Sequence, residues 1–247
     1  MKIDVMLTPA DLAAAPQAEL ARSVCVVLDI LRASSSIVTA LAHGARRVLP
    51  AASVAEARRL KRSFPGALLA GEKNGLKIPG FELGNPPSEF SRSAVGGREV
   101  IMATTNGTRA IRACAGAEKT YVGAFLNLSA VVREAAPFLK SSGLDLKIVC
   151  SGTQEDFSWE DSVAAGAFAQ AFRRRLARAD FGDSALAALS LYLAEGKRLQ
   201  ASLGQGRNGR RLKSLGLARD IARCAQVDRY GLAAGVGEAA GFVSVEG

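Results

Sequence analysis

The sequence predicts an α/β fold: a three-layer α/β/α sandwich around a largely parallel or mixed central sheet. Three observations carry this. Short apolar runs alternate with amphipathic or Ala-rich segments along most of the 247 residues. One run, Ser23–Leu28, is apolar almost throughout, as a strand buried on both faces requires. A pattern of strand, polar turn with Arg-Ala, helix, strand and capped helix occurs at 24–62 and recurs at 100–139. These halves read either as a duplicated βαβα unit or as two ordinary ones. The matching pairs Arg32-Ala33 and Arg109-Ala110 favour duplication, with position 29 answering to 106 and 32 to 109. The chain is treated as one domain spanning 1–247, a size that supports a substantial core.

Taken in order, Lys2–Leu7 is a strand that stops at Thr8-Pro9, and a short Ala-rich segment over Pro9–Leu20 follows. After the Ser23–Leu28 strand, Ser34–Ala42 is a helix closed by Gly44. Arg46–Pro50 is a short strand, and Ser53 with Glu56 three residues later signals a capped helix ending before Pro65. Ala67–Ala70 is a strand. The long stretch from Gly71 to Phe90 holds four glycines and three prolines, so it reads as an ordered loop rather than a regular element. Arg98–Thr104, Lys119–Val122 and Asp145–Cys150 are further strands, with helices at Thr108–Ala115 and Asn127–Phe138. A polar loop leads to a long helix over Glu160–Arg178. Shorter helices follow at Asp183–Glu195, Asn208–Gly216 and Arg219–Asp228, and Gly235–Val245 closes the chain irregularly.

Composition narrows the function classes. No apolar run is long enough to span a membrane, and MKIDVMLTP lacks the features of a signal peptide, so a cytoplasmic location is expected. Cys25, Cys114, Cys150 and Cys224 show no CxxC spacing and read as buried thiols. His43 is the only histidine and sits at a helix C-terminus, which argues for a capping role and against zinc. The net charge of +9 fits an anionic small substrate. The basic residues are not interleaved with aromatics, which disfavours nucleic acid. A homodimer stays open.

The residues that could carry chemistry lie where predicted strands end, the usual position of sites in open α/β sheets. Asp29 follows an apolar run, and a carboxylate there needs a cation or an arginine to remain charged. Magnesium is the natural cation, because it takes oxygen ligands and needs only one or two protein carboxylates. Glu72 and Asp161 are the next candidate ligands, and Glu160 and Asp161 alternatively stabilise the helix they open. Arg32 and Arg109 have the geometry of anion clamps. Thr105, Asn106, Gly107 and Thr108 form a polar turn rich in donors, and Lys73 and Lys77 add positive charge on the long loop. The P-loop, dinucleotide-fold and serine-hydrolase motifs are absent.

The segments VVLDILRASSSI, GEKNGLKIPGFELGNPP, TTNGTRAI, GAFLNLSAV, CSGTQEDFSWEDSVAAGA and LKSLGLARDIARCAQVD occur in this order. Together they resemble the 2-phosphosulfolactate phosphatase family along nearly the whole chain. The resemblance implies an Mg²⁺-dependent phosphomonoesterase that converts 2-phospho-3-sulfolactate to 3-sulfolactate and phosphate, a step of coenzyme M biosynthesis. Another phosphorylated 2-hydroxy acid as substrate, or non-catalytic binding of phosphorylated acids, stands as the alternative. Residues matching the motifs are Asp29, Arg32, Glu72, Gly84, Asn85, Asn106 to Arg109, Glu160 and Asp161. Asp29, Arg32, Glu72 and Arg109 are expected in catalysis, and Asp29, Glu72 and Asp161 at the metal, the ligand set being inferred from the residues and not stated by the motifs. Substrate contacts are expected from Arg32, Lys73, Lys77, Asn85 and Thr105 to Arg109. Arg109 is assigned the phosphoryl group and Arg32 the acid end. Gln154, Glu155 and Asp156 depart from the family pattern, which has small or apolar residues and a Gly-Arg there.

Overall fold

The computed structural model describes residues 1–237 and 242–246. It is α/β with a mixed sheet between helical layers, as the alternation of segments predicts. The strands are β1 (Lys2–Met6), β2 (Ser23–Leu28), β3 (Arg47–Ala51), β4 (Leu68–Lys73), β5 (Leu76–Lys77), β6 (Glu99–Ala103), β7 (Lys119–Gly123), β8 (Asp145–Cys150), β9 (Asp180–Phe181), β10 (Ala234–Val236) and β11 (Val243–Val245). Their order across the sheet is β5-β4-β6-β3-β11-β10-β7-β2-β8-β1-β9. β2 is buried at every residue, which is why its sequence does not alternate.

Two parallel groups, β4-β6-β3 and β7-β2-β8-β1-β9, are joined through β10 and β11, which pair antiparallel to each other and to their neighbours. The segment 235–245 is more regular than its sequence predicts. Its ends are these two short strands, and 238–241 lie outside the described residues. The segments 24–62 and 100–139 interlock instead of forming two lobes: β2 of the first pairs with β7 of the second, and β3 with β6.

The sheet order has a geometric consequence. β6 and β2 are five positions apart, about 24 Å in a flat sheet at the usual strand spacing. Yet a Cβ added to Gly107, just beyond β6, would lie 2.5 Å from Asp29 Oδ2, just beyond β2. The three successive antiparallel pairings β3–β11–β10–β7 leave the two parallel groups running in opposite directions, and the loops after β6 and β2 nonetheless meet and bound a crevice.

Several local expectations need correction. The Ala-rich segment Pro9–Leu20 forms two helices, Pro9–Ala14 and Gln17–Leu20, broken where Pro16 cannot continue the hydrogen-bond ladder. The segment from Gly71 is not irregular at its start. β4 runs on to Lys73 and turns back as β5 through Asn74 and Gly75, both with positive φ (57° and 83°). Gly71 is required in this strand: its φ is 144°, and a Cβ would meet Ala103 O at 1.9 Å. The long helix is Trp159–Arg175, started by the Ser158 hydroxyl, which accepts from Asp161 N. Ser53 caps Val54–Ser63 through Glu56 N as expected, while the Glu56 carboxylate reaches Ala52 N. The four cysteines are buried and free, and His43 is the C-cap residue of Ala33–Ala42. Among the described residues, no helix is long and apolar enough to cross a membrane.

Candidate functional site

The crevice holds a cavity of about 140 Å³, below the 300–1,000 Å³ of drug-sized clefts, so it suits a small acid rather than a nucleotide. Its lining includes Asp29, Arg32, Glu72, Asn85, Thr105 and Asn106 from the strand-end motifs. A helix near the C-terminus, Arg207–Ser214, adds Arg207, Asn208 and Arg211.

Asp29 is fixed by the turn it starts. The Ser34 hydroxyl donates to Asp29 O and accepts from Asp29 N, and Asp29 Oδ1 accepts from Ala33 N at 3.1 Å. Burial raises its carboxyl pKa from 3.8 to about 7. The Ala33 and Gly107 amides oppose that rise, and the charges of Glu72 and Glu160 add to it. Glu72 is oriented from both sides: Oε2 accepts from Gly75 N at 2.6 Å, and Oε1 accepts from Thr105 N and Thr105 Oγ1.

The amide groups present further oxygens. Asn106 Nδ2 donates to the carbonyls of Ser151, Gly152 and Gln154, which fixes the orientation of its amide. Its Oδ1 is then a buried acceptor without a partner, and Asn85 Oδ1 is another. Two carboxylates and two unpartnered amide oxygens around one cavity are a hard, all-oxygen donor set, the chemistry that suits Mg²⁺.

Asp161, expected as a third metal ligand, does not line the cavity. Its oxygens accept from Ile30 N at 2.9 Å and Gly152 N at 3.2 Å, so it ties the β2 turn to the loop after β8. Among the described residues, no cluster of three or more His, Cys, Asp or Glu side chains is placed to hold a metal. Burial, with the charges of Asp29 and Glu160, pushes the Asp161 carboxyl well above its ordinary range. Its neighbour Glu160 is buried beside the cavity, its pKa raised by burial. Asn208 Nδ2 donates to Oε1 at 2.7 Å, and Oε2 has no partner.

The two arginines also part company. Arg32 is 2% exposed; its Nη1 pairs with Asp220 at 2.5 Å and its Nη2 donates to Gly75 O at 2.8 Å. It reaches the cavity wall as half of a buried ion pair. Arg109 is not in this cavity at all. Its side chain is 60% exposed, faces Glu155 at 3.6 Å, and lines a separate hollow beside Pro9, Leu12 and Ala113. The reason is helix phase. Arg32 is the N-cap residue of its helix, whereas Asn106 is the N-cap of Gly107–Ala113, so Arg109 already lies inside the first turn. Two residues at about 100° each carry it far round from Gly107, which faces Asp29. The sequence match of 29 with 106 was thus three residues out of structural register.

Lys73 and Lys77 are exposed on the β4–β5 hairpin and do not line the cavity. Thr108 is buried and exchanges hydrogen bonds with Thr104 beneath the turn. Sequence reasoning gave Asn208–Gly216 only as a further helix, without a site role for Arg207, Asn208 or Arg211. Their i, i+1, i+4 spacing, which puts them on one helix face, was the available signal.

Comparison with known proteins agrees with this arrangement of motifs. The family model described as 2-phosphosulpholactate phosphatase matches residues 9–235. A protein of Symbiobacterium thermophilum named probable 2-phosphosulfolactate phosphatase is 41% identical over 214 residues, covering 86% of this chain and 90% of its own. A protein of Carboxydothermus hydrogenoformans with the same name is 37% identical over 228 residues, covering 92% and 90%. The match spans β2, β4, β6 and β8 and the Arg207–Ser214 helix, every element that builds the cavity. The chain belongs to the 2-phosphosulpholactate phosphatase family.

Proposed function

We propose that this protein is an Mg²⁺-dependent phosphomonoesterase acting on 2-phospho-3-sulfolactate, releasing 3-sulfolactate and phosphate. The observation that carries the reading is that Asp29, Glu72, Asn85 and Asn106 line one small cavity whose wall also carries arginines. Family membership and the names of the relatives support the substrate. Asp29 and Glu72, with the amide oxygens of Asn85 and Asn106, would hold Mg²⁺. When bound, the ion neutralises phosphoryl oxygens and lowers the pKa of water.

The chain's own groups do the rest. Thr105 and the Gly75 amide hold the Glu72 carboxylate in place at the cavity wall. The Ala33 amide does the same for Asp29. Water supplies the oxygen that forms the new bond to phosphorus; the ester P–O bond breaks, and the leaving 2-oxygen takes up a proton. The cytoplasm and a place in coenzyme M biosynthesis belong to the same reading. A phosphate-release screen tests the substrate, comparing 2-phosphosulfolactate, 2-phospholactate and phosphoglycolate at equal concentration. The highest kcat/KM is expected for 2-phosphosulfolactate, and preference for another acid would reassign the substrate.

A further inference from the structure

We infer that Arg211 grips an acid group of the substrate other than the phosphoryl group, and so sets a preference for phosphorylated small acids with a second anionic end. This rests on reading the cavity as a phosphatase site. Three arginines line the cavity, and they are not equivalent. Arg32 is matched by Asp220. Arg207 is matched by Asp156 at 3.0 Å and donates to Thr153 O. For Arg211, no carboxylate among the described residues lies within ion-pair distance. Its side-chain partner among them is one carbonyl, Asn74 O, reached by Nε at 3.2 Å and Nη2 at 2.8 Å.

A guanidinium has five N–H donors. Two of those on Arg211 converge on a single oxygen, which leaves both Nη1 protons and one Nη2 proton. These form the edge of the fork that takes a carboxylate or sulfonate bidentately.

The clamp is also preorganised with respect to the reaction centre. The turn at Asn74–Gly75 is held by Arg211 on Asn74 O, by Arg32 on Gly75 O, and by Glu72 on Gly75 N. There is no slack: a Cβ on Gly75 would lie 3.0 Å from Leu215 Cδ1 and 3.5 Å from Arg211 Nε. One hairpin turn therefore ties Glu72, on the candidate metal side, to Arg211, and both line the same cavity. A ligand with a phosphoryl group and a second acid group would engage both the metal side and Arg211; inorganic phosphate would engage only the first.

The test compares Arg211→Gln and Arg211→Lys with wild type, folding being checked by circular dichroism. Binding is measured by calorimetry in Mg²⁺ buffer. R211Q should weaken 3-sulfolactate by about 10-fold or more, leave inorganic phosphate within about 3-fold, and R211K should recover only part of the loss. Kinetics on 2-phosphosulfolactate, on 2-phospholactate (no sulfonate) and on the phosphate ester of 2-hydroxyethanesulfonate (no carboxylate) identify the group. The R211Q defect should appear mainly in KM and vanish for the substrate lacking the group that Arg211 holds. An equal loss on all ligands including inorganic phosphate, or no loss on 3-sulfolactate, overturns the assignment. The phosphatase reading fails separately, through absence of phosphate release by wild type, and the binding comparison then still judges Arg211.

Discussion

Changing Asp29 to asparagine should make the metal-free protein more stable at pH 8, although it removes a residue placed at the reaction centre. In the folded chain the Asp29 carboxyl has its pKa raised from 3.8 to about 7, mainly by burial. Below pH 4 the group is protonated in both folded and unfolded chains. Between about pH 4 and 7 the folded protein holds a proton that the unfolded chain has lost, so stability falls as pH rises through that window and the loss is complete above it. A shift of about three units corresponds to about 4 kcal/mol. Asparagine avoids this term, and its Oδ1 can still accept from Ala33 N. Its amide, however, presents a donor where the carboxylate faced Gly107, which costs about 1–3 kcal/mol. The net gain is about 2 kcal/mol, a rise of about 4–8 °C in Tm for a chain of this size. Thermal melts in EDTA at pH 5 and pH 8 measure it. The wild type should lose Tm between the two values, and D29N should lose less. Some slope will remain, because burial raises Glu160 and Asp161 in the same direction. A D29N protein less stable than wild type at pH 8, or with the same pH slope, would refute the reasoning.

Three further outcomes follow from side-chain placement. R109A should change kcat/KM by less than about 3-fold, since its pair with Glu155 is exposed and outside the cavity; steady-state kinetics checks this, and a 100-fold loss would return Arg109 to the site. R32A should cost about 3–5 kcal/mol in urea unfolding, because it leaves the Asp220 carboxylate buried and unpaired; a loss below 1 kcal/mol would show that Asp220 finds water. G71A should abolish soluble expression or lower Tm sharply, given the 1.9 Å approach to Ala103 O, whereas G116A, which meets nothing within 4 Å, serves as the tolerant control.

What the sequence made legible was local. The all-apolar β2, the Ser53 cap and the break before Pro65 each follow from neighbours in the chain. So does the placement of Asp29, Thr105 and Asn106, since polar residues just after an apolar strand land at its C-terminal end; Glu72 lies inside the end of β4 instead. What was illegible depends on packing at a distance. Nothing near β10 and β11 announces that they insert between β3 and β7, yet that insertion joins the two parallel groups into one sheet. Nothing in the Arg207–Ser214 helix says that it lies across the strand ends and not on open surface. Arg109 was misplaced for a subtler reason. The TNGTR turn resembles the DILRA turn, but its helix starts earlier relative to the arginine, and part of a helical turn carries the side chain out of the cavity.

Phosphate release from 2-phosphosulfolactate, measured with Mg²⁺ and after EDTA treatment for wild type, D29N and E72Q, tests the central claim most directly. The expected result is turnover by wild type that EDTA abolishes and Mg²⁺ restores, with loss of at least about 100-fold in both folded variants. Turnover that persists in EDTA, or D29N and E72Q enzymes that keep wild-type rates, would contradict a metal-assisted phosphatase built on Asp29 and Glu72.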